Sequence, residues 1–188
     1  MDTAAVRHAI TTVTDPGQAA RLLDDLAPVY EEVYAEPPYH EGPRDVAQFI
    51  ERYGREHKVR GFRLATARDE HGELSAFAYG LPLSSSTAWW DGFLDTTLAD
   101  DFTREDGRRT FVIMELAVLG PYRRKGLARA LHAALMDDNP AERVTLAVRP
   151  EAEPATTLYA ALGYGVVGHT RPWDDAPTYR CMIRDLSS

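Results

Sequence analysis

The chain has 188 residues, 44% of them hydrophobic and 27% charged, with a formal net charge of −8. That size and balance fit one globular domain with a sizeable core, and the acidic charge argues against a general nucleic-acid binder. No 18-residue apolar run exists to cross a membrane, and the single cysteine, Cys181, cannot form an internal disulfide.

The opening MDTAAVRHAITT lacks a basic stretch followed by an apolar one, so no secretory signal is read and a reducing, cytoplasmic setting is expected. Ala5 to Val13 alternates loosely and reads as a first strand. Asp15-Pro16-Gly17 has turn and helix-start chemistry. From Gln18 to Tyr34 the residues Leu22, Leu23, Leu26, Val29, Tyr30 and Val33 recur at helical spacing. The prolines of AEPPYHEGP stop that helix, and Arg44 to His57 forms the next, with Val46, Phe49, Ile50 and Tyr53 on one face. Gly61–Arg68 and Leu74–Leu83 read as strands of a hairpin joined by Asp69-Glu70-His71-Gly72. Ser84 to Arg109 is the least regular segment, holding Trp89, Trp90, Phe93 and six acidic residues, with a short helix expected over Leu94–Phe102. A loop this long has a role or structure of its own. Two readings stay open: a specificity insert, or a surface flap stapled by its two tryptophans.

Phe111 to Ala134 carries the strongest signal. FVIMELAV is an apolar strand interrupted by Glu115, and an ionised carboxylate is costly to bury unpaired. The turn LGPYRRKG brings three consecutive cations, Arg123, Arg124 and Lys125. The helix that follows has Leu127, Ala130, Leu131, Ala134 and Leu135 on one apolar face. Unpaired N–H groups and the positive dipole end at a helix start attract phosphate; Gly126 and Ala128 let an anion approach closely. The stretch reads as a pyrophosphate cradle. It is neither a P-loop nor a dinucleotide fingerprint, since G-x-x-x-x-G-K-[ST] and G-x-G-x-x-G are both missing. Arg143–Val148 reads as a fifth strand, Pro154–Leu162 as a helix ended by Gly163, and Tyr164–Thr170 and Thr178–Asp185 as two more strands. The pattern is α/β or α+β, a three-layer fold around a mixed sheet.

Arg123-Arg124-Lys125-Gly126-Leu127-Ala128 resembles the R/Q-x-x-G-x-G/A signature of the GNAT superfamily of N-acetyltransferases. Glu115-Leu116-Ala117-Val118, followed by Pro121, resembles the strand that leads into it. Ala155-Thr156-Thr157-Leu158-Tyr159 with Gly163-Tyr164 resembles the second signature, A-x-x-L-Y-x-x-x-G-F. The resemblance covers roughly Thr110 to His169 and is architectural before that. It implies a single GNAT-like domain over 1–188 with a mostly antiparallel sheet of about seven strands. In it, 110–169 forms the acyl-CoA core, and the N-terminal helices with the 84–109 insert form the acceptor side. It implies acetyl-CoA as acyl donor, with Leu116, Ala117, Val118, Arg123, Arg124, Lys125, Gly126, Leu127 and Ala128 holding it. One departure is Ala152, where the family often carries an asparagine.

The implied reaction is direct acetyl transfer to a primary amine in a ternary complex. Only roughly 1 in 2,500 of a lysine-like amine is free base at pH 7, so a proton acceptor helps. Glu115 stands in the strand to serve, directly or through a water; a solvent-facing or arginine-paired carboxylate is the alternative. Tyr159 matches the tyrosine that protonates the leaving thiolate in the family, though it also falls on an apolar helix stripe. By resemblance the Val118 amide binds the oxyanion, and Leu116 and Val118 pair by backbone with the pantetheine arm. Tyr34, Tyr39 and His40, with Trp89 and Trp90, are acceptor-side candidates, against simple packing. A small-molecule cationic amine is favoured over a protein, with no nucleic-acid or membrane partner, and a homodimer is left open. A non-catalytic acyl-CoA sensor with the same fold is the alternative function. The six histidines lack metal-site spacing, so no metal is expected. Cys181 reads as an inert core thiol.

Overall fold

The computed structural model describes residues 7–187. Its elements run β1 (Ala9–Val13), α1 (Pro16–Arg21), α2 (Leu23–Ala35), α3 (Pro43–Glu56), β2 (Arg63–Arg68), β3 (Leu74–Pro82) and α4 (Asp100–Thr103). There follow β4 (Thr110–Val118), α5 (Leu127–Met136), β5 (Arg143–Val148), α6 (Glu153–Ala161), β6 (Gly165–Thr170) and β7 (Tyr179–Asp185). The strands form one seven-stranded sheet in the order β1-β2-β3-β4-β5-β7-β6. β1–β2, β2–β3, β5–β7 and β6–β7 pair antiparallel, and β4–β5 pair parallel. The expected mixed, mostly antiparallel sheet flanked by helices is the one that forms. Of the expected first strand, Ala5 and Val6 lie outside the described residues.

By contacts the chain divides into two compact units, residues 7–80 with 115–139, and residues 81–114 with 140–187. In the first, Asp15 caps α1 by accepting from the Gln18 amide at 2.8 Å, with Pro16 at the first helical position. One helix was expected from Gln18 to Tyr34; two form and meet at Leu22, whose amide turns to the Ala19 carbonyl at 3.2 Å, a tighter i→i−3 bond. Leu26, Val29, Tyr30 and Val33 of α2, Phe49 and Tyr53 of α3, and Leu127, Leu131 and Leu135 of α5 are buried. Those are the periodic apolar positions, so burial follows the pattern. The β2–β3 hairpin closes on Asp69, whose carboxylate accepts from the His71 and Glu73 amides at 2.9 and 3.0 Å.

The second unit gathers around Leu83, Trp90, Val112 and Cys181, with Trp89, Phe93, Phe102 and Met114 packed against them. The helix expected over Leu94–Phe102 shrinks to the four residues of α4. The reason is competition for its backbone. The Leu94 amide donates to the His169 carbonyl at 2.9 Å, and Phe93 bridges Thr170 antiparallel. Asp95 accepts from the His169 amide and ring at 2.8 and 2.7 Å. Gly168 permits this approach: a Cβ there would meet Asp95, Thr96 and Phe93 at 2.9, 2.9 and 3.0 Å.

Candidate active site

The cradle lies wholly in the first unit. β4 ends where the Leu119 amide donates to the Ser75 carbonyl at 3.0 Å. A 3-10 turn, Gly120–Tyr122, then leads to two left-handed positions, Arg124 (φ 61°) and Gly126 (φ 82°). A side chain at φ 82° is strained, which is why glycine stands at the entry to α5. No side chain caps α5, and nothing lies within 4 Å of where a Cβ on Gly126 would be. The first amides of the helix are thereby open to an anion. The three cations divide their work. Arg123, though exposed, is tied to the protein's own groups, its Nε donating to the Val118 carbonyl at 2.9 Å and its Nη1 to Glu36 at 2.6 Å. Lys125 lies 5.7 Å from the centre of the Tyr122 ring, and Tyr122 donates to Asp69 at 2.9 Å. Arg124 and Lys125 are exposed. Leu127 is buried and anchors the helix start; Ala117 is fully buried, Leu116 and Val118 partly.

One strand turn earlier, also in the first unit, Glu115 enters a partly buried polar cluster. Its carboxylate pairs with the Arg52 guanidinium and accepts from the Tyr34 hydroxyl. α3 places Glu56 one turn after Arg52, with Arg52 Nε 3.7 Å from the Glu56 carboxylate. Glu56 accepts from Tyr79 of β3 at 2.6 Å, and Glu41 accepts from Tyr30 of α2 at 2.5 Å. The Tyr34 ring sits 4.5 Å from Tyr30 and 4.9 Å from Tyr39, making an aromatic wall. Two carboxylates, Glu115 and Glu56, thus flank one guanidinium, and Glu41 feels it only through space. Burial pushes the Glu115 carboxyl up; Arg52 and Tyr34 pull it back, Glu56 adds to the rise, and the net direction is upward. Glu41 and Glu56 are also raised, first by burial. Burial works against the charge on Arg52, yet Glu115 overrides it and the guanidinium is held more firmly protonated. Tyr34 and Tyr79 are raised well above the ordinary range, first by burial, so their hydroxyls remain donors at neutral pH.

In the second unit Tyr159 stands on α6, 5% exposed, with its ring edge-on to Tyr164 at 5.4 Å. Gly163, at φ 89°, ends the helix. Ala152 occupies the N-cap of α6 and provides no side-chain cap. Trp90, one of the acceptor-side candidates, is in the same unit. It is 6% exposed, and its indole donates to Glu105 at 2.9 Å. Arg143 stacks on it at 5.1 Å. A buried indole N–H needs such an acceptor, and this one commits the residue to the core. Trp89 packs on the same cluster beside Cys181, whose thiol burial pushes up to about 11.

Acetyltransferase (GNAT) family is the description of the family model that matches residues 20–164. The chain belongs to that family. The phosphinothricin acetyltransferase of Sinorhizobium meliloti, solved with acetyl-CoA, is 17% identical and superposes with a TM-score of 0.66, covering 95% of this chain and 88% of its own. Arabidopsis thaliana NAA60, solved with a bisubstrate analogue, is 18% identical with a TM-score of 0.62 over 96% of this chain and 100% of its own. The ribosomal-protein-S18-alanine N-acetyltransferase of Escherichia coli is 20% identical with a TM-score of 0.58 over 97% and 96%. At these identities the likeness is one of fold. No curated protein matches the chain.

Within this GNAT chain the structure brings Glu115, Tyr34 and Tyr39 into one cluster and sets Leu116, Ala117, Val118 and Arg123 to Ala128 along one strand–turn–helix. His40 is exposed beside the cluster's loop. Sequence reasoning missed Arg52, Glu56, Glu41, Tyr30 and Tyr79. A signal existed for two of them: Arg52 and Glu56 are an i,i+4 pair flanking the buried Phe49 and Tyr53 face. Among the described residues, no helix is long and apolar enough to cross a membrane, and no group of three or more His, Cys, Asp or Glu could hold a metal ion.

Proposed function

We propose that this GNAT protein moves an acetyl group from acetyl-CoA to a primary amine by direct transfer in a ternary complex. The observation that carries the reading is the uncapped, glycine-entered start of α5, one strand length beyond a buried carboxylate whose affinity for protons is raised. The open amides of the first turn, with Arg124 and Lys125, suit the pyrophosphate. Arg123 braces the turn from behind. The parallel β4–β5 register spans Thr110–Val112, so it does not occupy the backbone at Leu116 and Val118. That backbone is assigned to the pantetheine arm, and the Val118 amide to the oxyanion.

Glu115 takes the ammonium proton, directly or through a water. The free amine then attacks the thioester carbonyl, and the C–S bond breaks as the tetrahedral species collapses. The departing thiolate takes its proton from Tyr159, and the proton that the attacking nitrogen sheds on becoming the amide passes to solvent, from which the tyrosine hydroxyl is restored. Tyr34 and Tyr39 are assigned to acceptor contact, and the excess of carboxylate over guanidinium beside them favours a compact cationic amine over a neutral one. The presence of both Glu115 and Tyr159 in the chain favours turnover over the sensor alternative.

The test is calorimetric titration with acetyl-CoA, followed in the same preparation by thiol release across amines. Micromolar binding with release for one amine class supports the reading. Binding without release across the panel moves it to the sensor. No binding removes the cradle.

A further inference from the structure

We propose that Arg52 is a positioning residue for Glu115, aiming its carboxylate and holding it ionised for proton transfer. This rests on Glu115 acting as the base. Arg52 sits on α3 one turn after Phe49, whose burial fixes the helix rotation, so its stem leaves from a fixed point. One arm of the guanidinium, Nη2, meets Glu115 Oε1. The Nε faces Glu56 at 3.7 Å, beyond hydrogen-bond length, and is buried without a hydrogen-bond partner. A guanidinium that leaves one N–H unbonded near one carboxylate while hydrogen-bonding another is oriented by the second. Glu56 meanwhile takes its hydrogen bond from Tyr79.

Among the described residues, the titratable groups that act on Glu115 come from three elements and one connection: Tyr30 and Tyr34 from α2, Glu41 from the connection to α3, Glu56 and Arg52 from α3, and Tyr79 from β3. Tyr34 donates a neutral hydrogen bond; Glu56 repels. Arg52 is the cation of this set. Burial by itself favours the neutral carboxyl, the form that cannot accept a proton. Arg52 offsets that cost and holds the Oε1 atom through a charge-assisted hydrogen bond.

The experiment uses the full chain with Arg52→Met, Arg52→Lys and Glu115→Gln, with kcat/KM followed against pH for the best amine. Acetyl-CoA binding is measured alongside. The Glu115 carboxyl is titrated by infrared difference against Glu115→Gln in each background. In Arg52→Met the acid limb of the profile should move up, costing about tenfold or more at the acid end and converging on wild type at the alkaline end. Arg52→Lys, which keeps charge and stem, should recover most of the limb. Acetyl-CoA affinity should stay within about twofold, since the cradle is a separate stretch of chain, and the carboxyl midpoint should move with the limb. An equal loss at every pH, or an unmoved carboxyl midpoint with Glu115→Gln inactive, overturns the role of Arg52 alone. Glu115→Gln at the wild-type rate overturns the base reading beneath it.

Discussion

Replacing Arg143 by Met strands a carboxylate that has no access to water. Glu105 has a side chain with 0% exposure, and its Oε1 accepts from Arg143 at 2.9 Å, Trp90 at 2.9 Å and Thr110 at 2.7 Å. Arg143 also donates to the Thr110 hydroxyl at 2.8 Å and the Phe102 carbonyl at 2.6 Å, and lies 5.1 and 4.6 Å from the Trp90 and Phe102 ring centres. Met fills much of the stem volume but supplies no charge. Breaking one partner of a buried ion pair costs about 3–5 kcal/mol, more than the packing of the stem can offset. For a chain of this length that is a fall in melting temperature of about 6–20 °C. Urea unfolding of wild type, Arg143→Met, Glu105→Gln and the double variant measures it. The double variant should recover about half of the loss or more, because a neutral amide keeps the Trp90 and Thr110 bonds and removes the stranded charge. A single-variant loss under about 1 kcal/mol would refute the reasoning, as would a double variant no better than Arg143→Met.

The remaining predictions concern the site. Gly126→Asp adds a like charge and a strained φ where an anion is expected, and acetyl-CoA affinity should fall about a hundredfold or more, against a much smaller change for Gly126→Ala. Unchanged calorimetric affinity for the Asp variant would remove the cradle. Tyr159→Phe should lower kcat by about tenfold while KM for acetyl-CoA moves little, and a full-rate variant takes Tyr159 out of the mechanism. Burial raises the folded-state value of Glu41 above its unfolded one, so its charged form costs stability that grows as pH rises from about 4.3 through the folded value. Glu41→Gln should therefore raise the melting temperature at pH 7 and lose that gain near pH 4. A gain as large at pH 4 would contradict the sign.

Much of the fold was legible because it is written in local terms. Leu127, Leu131 and Leu135 repeat at helical spacing and are the positions α5 buries. Asp69 to Gly72 closes a hairpin through its own amides. Gly126 announces the α5 entry because few other residues tolerate its φ. The helix expected over Leu94–Phe102 failed for a reason no window of sequence contains: its backbone is claimed by β6, more than seventy residues on, with Asp95 and His169 separated by 74 positions. The candidate site divides the same way. Glu115 was visible as a charge in an apolar run, but whether it faced water, an arginine or a tyrosine was not.

By itself the sequence determined the order of strands and helices, the glycine-entered basic turn after β4, and the pairing of a second motif with it. These depend on φ preference, on period and on hydrogen bonds between neighbours, all readable within a few residues. Tertiary structure alone decided that Arg52 closes on Glu115 across 63 residues and that Arg143 reaches Glu105 across 38. It also decided that Arg123, itself exposed, is tied to Val118 and Glu36, while Arg124 and Lys125 face solvent. A charged side chain has no period and no conformational signature of its own. Which partner it takes is settled by the desolvation it would suffer unpaired, and that depends on what the fold packs around it.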